Sequence, residues 1–331
     1  MLVSDDGRSA GLISGGCLES DLRERSAAVA ASGNPLLVTY DSTSPGDILW
    51  GLGLGCTGIA RVLLERVSAK ESCAPIEFIE ECRRTRCAGA IATPYILSGI
   101  TGGLAGPRVF AMDGRALRKT SGVESPEEGL LRACAEALAK KGSSHIAPAG
   151  KGAGAFVEYI APPVPLFIFG AGPDAAPLVR LAKELGWHVT IVDGRSAYLS
   201  RALFPLADEL LLSHPGEFRD RCTLPHGAAA VIMTHNFNND ASILGTLLDS
   251  AASFVGLLGP RAKADLLFAR LAEEGTILSK EAMERLHSPV GLDIGAETPE
   301  EIALAIVAEI QASLNERSGS PLRGREGPIH R

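Results

Sequence analysis

The sequence predicts an α/β protein of two domains, and three observations predict it. A proline-rich connector, Ala161-Pro162-Pro163-Val164-Pro165, interrupts the chain near its middle. Beyond it, apolar runs of strand length alternate with amphipathic stretches of helix length, the pattern of a parallel sheet covered on both faces. The first of those runs ends in a glycine-rich turn that opens a helix, Gly170-Ala171-Gly172-Pro173-Asp174-Ala175. The expected division is therefore 1–160, 166–314 and a polar, flexible tail over 315–331. Three prolines in four residues neither continue a helix nor sit in a central strand, so the connector is stiff.

In the first domain, Leu2-Val3 leads to a tight Asp6-Gly7-Arg8 turn, and Val109-Phe110-Ala111 leads to Asp113-Gly114-Arg115. Helical stretches follow at 22–31 and 130–140, closed by Gly33 and Gly142 as C-terminal caps. Strands ending in tyrosine come next, at 36–40 and 156–159. This parallelism predicts a degenerate internal repeat. The copies differ before their helices. The first carries Ile13-Ser14-Gly15-Gly16-Cys17-Leu18-Glu19, the second only Thr120-Ser121-Gly122-Val123-Glu124, so the extra chemistry belongs to the first.

The second domain reads as a Rossmann-like, doubly wound parallel sheet. Strands are expected at 166–169, 188–193, 209–212, 229–234 and 254–257, with helices at 173–185, 240–250, 262–274 and 299–313. Gly170, Gly172 and Ala175 form a G-x-G-x-x-A fingerprint, with Pro173 suited to a first helical position. The glycines let the turn approach a pyrophosphate, and the helix N-terminus offers free N–H groups. Asp193 ends the next strand, the place from which a carboxylate meets a ribose diol. Arg195 suits either an adenine ring or a 2′-phosphate, which leaves NAD and NADP both open.

Three further spots fall at strand ends. Thr234-His235-Asn236 is followed by Asn239-Asp240, which starts the next helix. Gly256-Leu257-Leu258-Gly259-Pro260-Arg261 has Lys263 nearby, and His287-Ser288-Pro289 comes later. His235 is a candidate for proton transfer. Asp240, Arg261 and Lys263 are candidates for cofactor binding, though a helix cap and solvated charges are the plainer readings.

Two thiol loops distinguish the first domain. Gly15 and Gly16 precede Cys17 at a helix start, a setting that lowers a thiol pKa and exposes N–H donors to an anion. Glu19 complements the helix dipole or joins that cradle. Gly51, Gly53, Gly55 and Gly58 surround Cys56 in a second backbone-lined loop. Together they suit a large, flat, polar ligand bearing a phosphate. Cys73, Cys82 and Cys87 are expected to be buried. No C-x-x-C or H-x-x-x-H spacing supports a zinc site, and no metal ligand set is predicted other than Cys17 toward a bound cofactor's metal.

Composition narrows the function classes. Apolar residues make up 46% and charged residues 21%, enough for two real cores. Thirty-two basic against 39 acidic side chains give a net charge of −7, which opposes nucleic-acid binding. No apolar run approaches the ~20 residues that span a bilayer, and the start lacks a signal-peptide pattern. Seven cysteines, an odd number, do not form a disulfide framework, so the cytoplasm is the expected compartment.

With both halves read, the sequence resembles the XdhC/CoxI family of molybdenum-enzyme accessory proteins. Gly15-Gly16-Cys17-Leu18-Glu19, Trp50-Gly51-Leu52-Gly53-Leu54-Gly55-Cys56 and Gly170-Ala171-Gly172-Pro173 carry the resemblance. Val192-Asp193-Gly194-Arg195, Met233-Thr234-His235, Leu257-Leu258-Gly259-Pro260-Arg261 and Ser288-Pro289-Val290-Gly291-Leu292 extend it over nearly the whole chain. The resemblance implies a maturation factor rather than a stand-alone enzyme. It implies transient binding of molybdenum cofactor (molybdopterin), help with its sulfuration by a cysteine-desulfurase partner, and insertion into a xanthine dehydrogenase-type enzyme. A homodimer is compatible with it.

The family pattern usually opens with a further strand and a Gly-Ser-x-x-x-x-Pro-Gly loop before the segment matching Met1-Leu2-Val3. That departure implies a misassigned gene start or an incomplete pocket, with 88–106 supplying the matching strand and loop for the second repeat alone. Two rival functions stay open. One is an NAD(P)-dependent oxidoreductase built on Gly170, Gly172, Asp193 and His235. The other is a non-catalytic docking protein for a molybdenum hydroxylase.

Overall fold

A computed structural model describes residues 1–13, 16–41, 59–68, 73–98, 101–113, 115–118, 126–149, 153–221, 223–276 and 279–326. It divides into two compact units, Met1–Pro162 and Pro163–Arg331.

In the first unit, β1 (Leu2–Val3) and β2 (Ser9–Ala10) pair antiparallel in a sheet of their own. Then come α1 (Cys17–Ser32), β3 (Leu36–Asp41) and β4 (Ile59–Leu64). α2 (Ala74–Thr85), β5 (Gly89–Ser98), β6 (Thr101–Leu104), β7 (Val109–Met112) and β8 (Arg115–Arg118) follow. α3 (Pro126–Lys140), β9 (Ser144–Ala149) and β10 (Ala153–Ile160) complete the unit.

Strands β3 to β10 form one antiparallel sheet centred on β5. β10 runs along one edge of β5, while β6 and β7 share the other. Because strand side chains alternate between faces, Ala90, Ala92, Ala111 and Val157 come together on one face. There α3 covers them with Cys134 and Ala137. Small residues on the strands let the helix lie close.

The internal repeat is not confirmed. Each copy has a hairpin before its helix, but β1–β2 stands alone whereas β7–β8 belongs to the large sheet. Tyr40 lies near the end of the first strand after α1, while Tyr159 lies in the second strand after α3. The caps differ too. Gly33 closes α1 in the left-handed region (φ 72°), but Lys141 takes that conformation after α3 (φ 51°). Gly142 only donates its N–H back to the Ala137 carbonyl.

The second unit is doubly wound. β11 (Pro165–Phe169), α4 (Ala175–Glu184), β12 (His188–Asp193) and β13 (Glu209–Leu212) build one half. After α5 (Phe218–Arg221), the other half holds β14 (Ala229–Ile232), α6 (Phe237–Leu248), β15 (Phe254–Leu257), α7 (Arg261–Glu273), α8 (Lys280–Glu284) and β16 (Leu286–His287). α9 (Pro299–Leu314) packs back beside α4.

All six strands are parallel, in the order β13-β12-β11-β14-β15-β16. Period-two alternation sends Leu166 and Ile168 to the face covered by Leu178, Ala182, Ile306 and Ile310. Phe167 and Phe169 go to the face covered by Leu244, Leu247 and Leu267. The chain runs outward from β11 in both directions, so the carboxyl ends of β11 and β14 flank a topological switch point, where such sheets place ligands.

In the second unit two helix starts differ from expectation by more than one residue, and in the first unit α1 and α3 begin at 17 and 126 rather than 22 and 130. α4 begins at Ala175, because Pro173 and Asp174 form a turn in which Ala175 N–H donates to the Gly172 carbonyl. α6 begins at Phe237, because Asn236 is its cap and accepts from Asn239 N–H at 3.0 Å. Asp240 therefore sits inside the first turn rather than at its start.

Candidate functional site

The first candidate lies where the chain enters α1. Gly16 holds a left-handed φ of 119° as N-cap, which makes Cys17 the first helical residue. No described atom lies within 4 Å of where a Gly16 Cβ would stand. Glu19 is 4% exposed and turns back on the entering loop. Its carboxylate accepts from Ile13 N–H and Gly16 N–H, each at 3.0 Å. Glu19 thereby ties the entering segment to the helix start, in the manner of a capping box at Gly16.

Positions 17, 21 and 25 share one face of α1. There the Asp21 carboxylate accepts from Arg25 Nε at 2.7 Å and from the Tyr40 hydroxyl at 2.5 Å. Arg25's hydrogen bond holds the Asp21 carboxyl below the usual carboxylate range despite partial burial. Burial, then the bond to Asp21, pushes the Tyr40 phenol up to about 12. Tyr40 thus ties the end of β3 to the helix that begins at Cys17. Its place in the sequence marks it only as a strand end. Gly15, Gly53, Gly55, Cys56 and the side chain of Cys17 lie outside the described residues.

Of the cysteines expected to be buried, Cys82 is, and burial raises its thiol to about 11. Cys73 and Cys87 are half-exposed, because they flank α2 rather than face the sheet.

The second candidate is the carboxyl edge of the parallel sheet. Gly170 has a left-handed φ of 121°, and a Cβ there would come within 2.5 Å of the Met233 carbonyl oxygen. Its first duty is therefore close packing of the turn against the end of β14. Ala175, fully buried, lets α4 sit equally close to the sheet. At Gly172 a Cβ would collide with the Asp174 carboxylate, so that acid lies over the turn. Asp174 in turn faces His235 Nε2 at 2.7 Å. His235 adopts a left-handed φ of 56° and leaves 62% of its side chain exposed.

Asp193 is 8% exposed, and its carboxylate is heavily engaged. Oδ1 accepts from Arg195 N–H at 2.8 Å and Arg195 Nε at 3.0 Å. Oδ2 accepts from Ala171 N–H and the Arg195 guanidinium, both at 2.8 Å. Burial alone would raise the Asp193 carboxyl, but these bonds outweigh it and hold the group below its usual range. The guanidinium also lies 4.2 Å over the Tyr198 ring.

Asp240 is fully buried. It accepts from the Thr234 hydroxyl at 2.5 Å and pairs with Lys263 Nζ at 2.5 Å. Lys263 also donates to the Leu258 carbonyl, which fixes its ammonium inside the fold. Arg261 stands exposed at the start of α7.

A cavity of 210 Å³ opens at this edge, between Asp193, Arg195, His214, Thr234 and Asn236, over a floor that includes Phe169 and Phe218. Ser213 and His214 line it without having been singled out as ligand contacts. The rule that marked Thr234-His235, residues just beyond a parallel strand, applies equally to Ser213-His214 after β13.

Comparison with known proteins places both units. Residues 166–310 match the family described as the XdhC Rossmann domain, and residues 1–41 match the XdhC and CoxI family. The chain is 32% identical over 311 residues to a protein of Bacillus subtilis (strain 168) named as a probable subunit of xanthine dehydrogenase, covering 94% of this chain and 86% of that protein. It is 21% identical over 310 residues to the "Molybdenum cofactor insertion chaperone PaoD" of Escherichia coli (strain K12), covering 94% and 76%. Among solved structures, a crystal structure of a xanthine dehydrogenase from Bacillus halodurans aligns with a TM-score of 0.75 at 30% identity. It covers 97% of this chain and 88% of that one.

Proposed function

The chain belongs to the XdhC and CoxI family, and from that membership we propose that it is an accessory chaperone of a xanthine dehydrogenase-type molybdenum enzyme. Its cargo is molybdenum cofactor, bound transiently, matured with sulfur from a cysteine-desulfurase partner and delivered to the enzyme. What supports the reading is likeness along 94% of the chain to a protein named as a molybdenum cofactor insertion chaperone. The start of α1, where Gly16 caps the helix that opens with Cys17, is the proposed place for that cargo.

The chain's own groups do simple work here. Gly16 adds no side chain of its own at the helix start, and Glu19 fixes the segment that enters the helix. A helix N-terminus favours thiolate over thiol, and thiolate is the form that ligates a soft metal centre. Cys17 and Cys56 are accordingly the proposed metal-facing residues, with the glycine-loop N–H groups holding the polar remainder of the cargo.

The experiment co-expresses the chain with a molybdenum enzyme and compares wild type with Cys17→Ala and Cys56→Ala. Expected are strongly reduced cofactor stoichiometry and partner activation with a nearly unchanged thermal midpoint, the loss being larger for Cys17→Ala. Unchanged retention with a midpoint lowered by several degrees would make Cys17 a packing residue and end the proposal.

A further inference from the structure

The cavity at the carboxyl edge of the parallel sheet has a donor and acceptor balance that the fingerprint alone does not reveal. An ionised carboxylate offers about four lone-pair sites. Asp193 receives four N–H groups, two on each oxygen, from Ala171 and Arg195. A ribose diol is held by donating its hydroxyl hydrogens to such a carboxylate, and here no acceptor site is left for it.

Arg195 shows the opposite state. A guanidinium carries about five N–H donors, and Arg195 spends two of them on Asp193. No described residue accepts from the others. The Tyr198 ring steadies the guanidinium plane, and 52% of the side chain faces solvent at the cavity mouth. Among the described residues that line the cavity, no other is acidic. The wall therefore presents spare donors, a neutralised acid and a histidine ring.

We propose that this cavity binds the adenosine end of a nucleotide that carries a phosphate on its ribose 2′-oxygen, with the outer edge of Arg195 as the phosphate contact. The fixed fork of arginine suits a phosphate oxygen pair. Asp193 acts here as a positioning residue, aiming the guanidinium outward while its own charge is cancelled. The apolar floor and the Asn236 side of the cavity are left to the base. The proposal concerns the Rossmann unit alone and does not rest on the chaperone reading.

The test titrates the full chain with NADPH, NADH, adenosine 2′-monophosphate and adenosine 5′-monophosphate by calorimetry. Expected is binding of NADPH at least ~10-fold tighter than NADH, one bidentate contact being worth that order, and the same order for the 2′- over the 5′-monophosphate. Arg195→Ala should erase the preference and also improve NADH binding, because it returns two acceptor sites to Asp193. Loss of a structural arginine alone gives no such gain. Arg195→Gln, which keeps the stem but not the charge, repeats the test if the alanine variant fails to fold. Equal affinities, tighter NADH binding by the wild type, binding of none of the four, or an unchanged preference in the variants would overturn the proposal. Cys17→Ala should leave the nucleotide preference intact, so failure of one reading is distinguishable from failure of the other.

Discussion

Lys263 reaches from the start of α7 to the fully buried carboxylate of Asp240, 2.5 Å away, and so ties the loop after β15 to the first turn of α6. Removing one partner of a buried pair leaves the other charge uncompensated. Lys263→Ala is expected to cost about 3 kcal/mol, the low end of that range, because 22% of the lysine is exposed. Urea denaturation measures the loss. Adding Asp240→Asn should recover part of it, and a lysine variant within experimental error of wild type would mean the pair contributes nothing net.

Gly170→Ala combines a left-handed φ of 121° with a carbonyl oxygen 2.5 Å from the added methyl carbon. Strain and overpacking together predict a loss of about 3 kcal/mol. The same method checks it, and tolerance of alanine would show that the turn can draw away from Met233.

The Glu309 carboxylate bridges His287 Nδ1 at 2.9 Å and Gly291 N–H at 2.7 Å. Burial raises its carboxyl, but the His287 and Gly291 bonds prevail and bring it below the usual 4.5. A depressed folded value means stability that is present above about 4.5 and lost as pH falls through the folded value. Asp193 and Asp208 are depressed as well and share that acid sensitivity. Denaturation midpoints across the acid range should therefore fall less steeply for Glu309→Gln than for wild type. Parallel curves would remove Glu309 from the account.

Tyr40→Phe deletes one hydrogen bond to Asp21 between β3 and α1. A loss of about 1 kcal/mol is expected, read as a lower thermal midpoint. Because the helix begins at Cys17, the same variant should reduce cofactor retention without removing any proposed cargo contact. Full retention would separate the Tyr40 tie from the cradle.

The sequence by itself located five of the six strands of the second unit's sheet and missed only the two-residue edge strand β16. Runs such as 188–193 and 254–257 became strands at those limits, since length, period and bounding glycines are local properties. It also located Gly16-Cys17 at a helix start, and the carboxyl edge it marked carries a cavity. Helix starts moved where capping competed, as when Asn236 displaced Asp240 from the start of α6. The repeat was not confirmed, because similar hairpin and helix segments entered different sheets.

Only the tertiary structure decided what the candidate residues have left to offer. Asp193 has the position of a diol-binding acid, yet Arg195 and the Ala171 N–H fill its acceptor sites. Asp240 carries the charge of a ligand contact, yet it is sealed beneath Thr234 and Lys263. Spacing along a chain fixes where a side chain starts. How many of its hydrogen-bonding sites remain open is fixed by neighbours that folding brings in from elsewhere, because a buried polar group must find partners to repay its lost water.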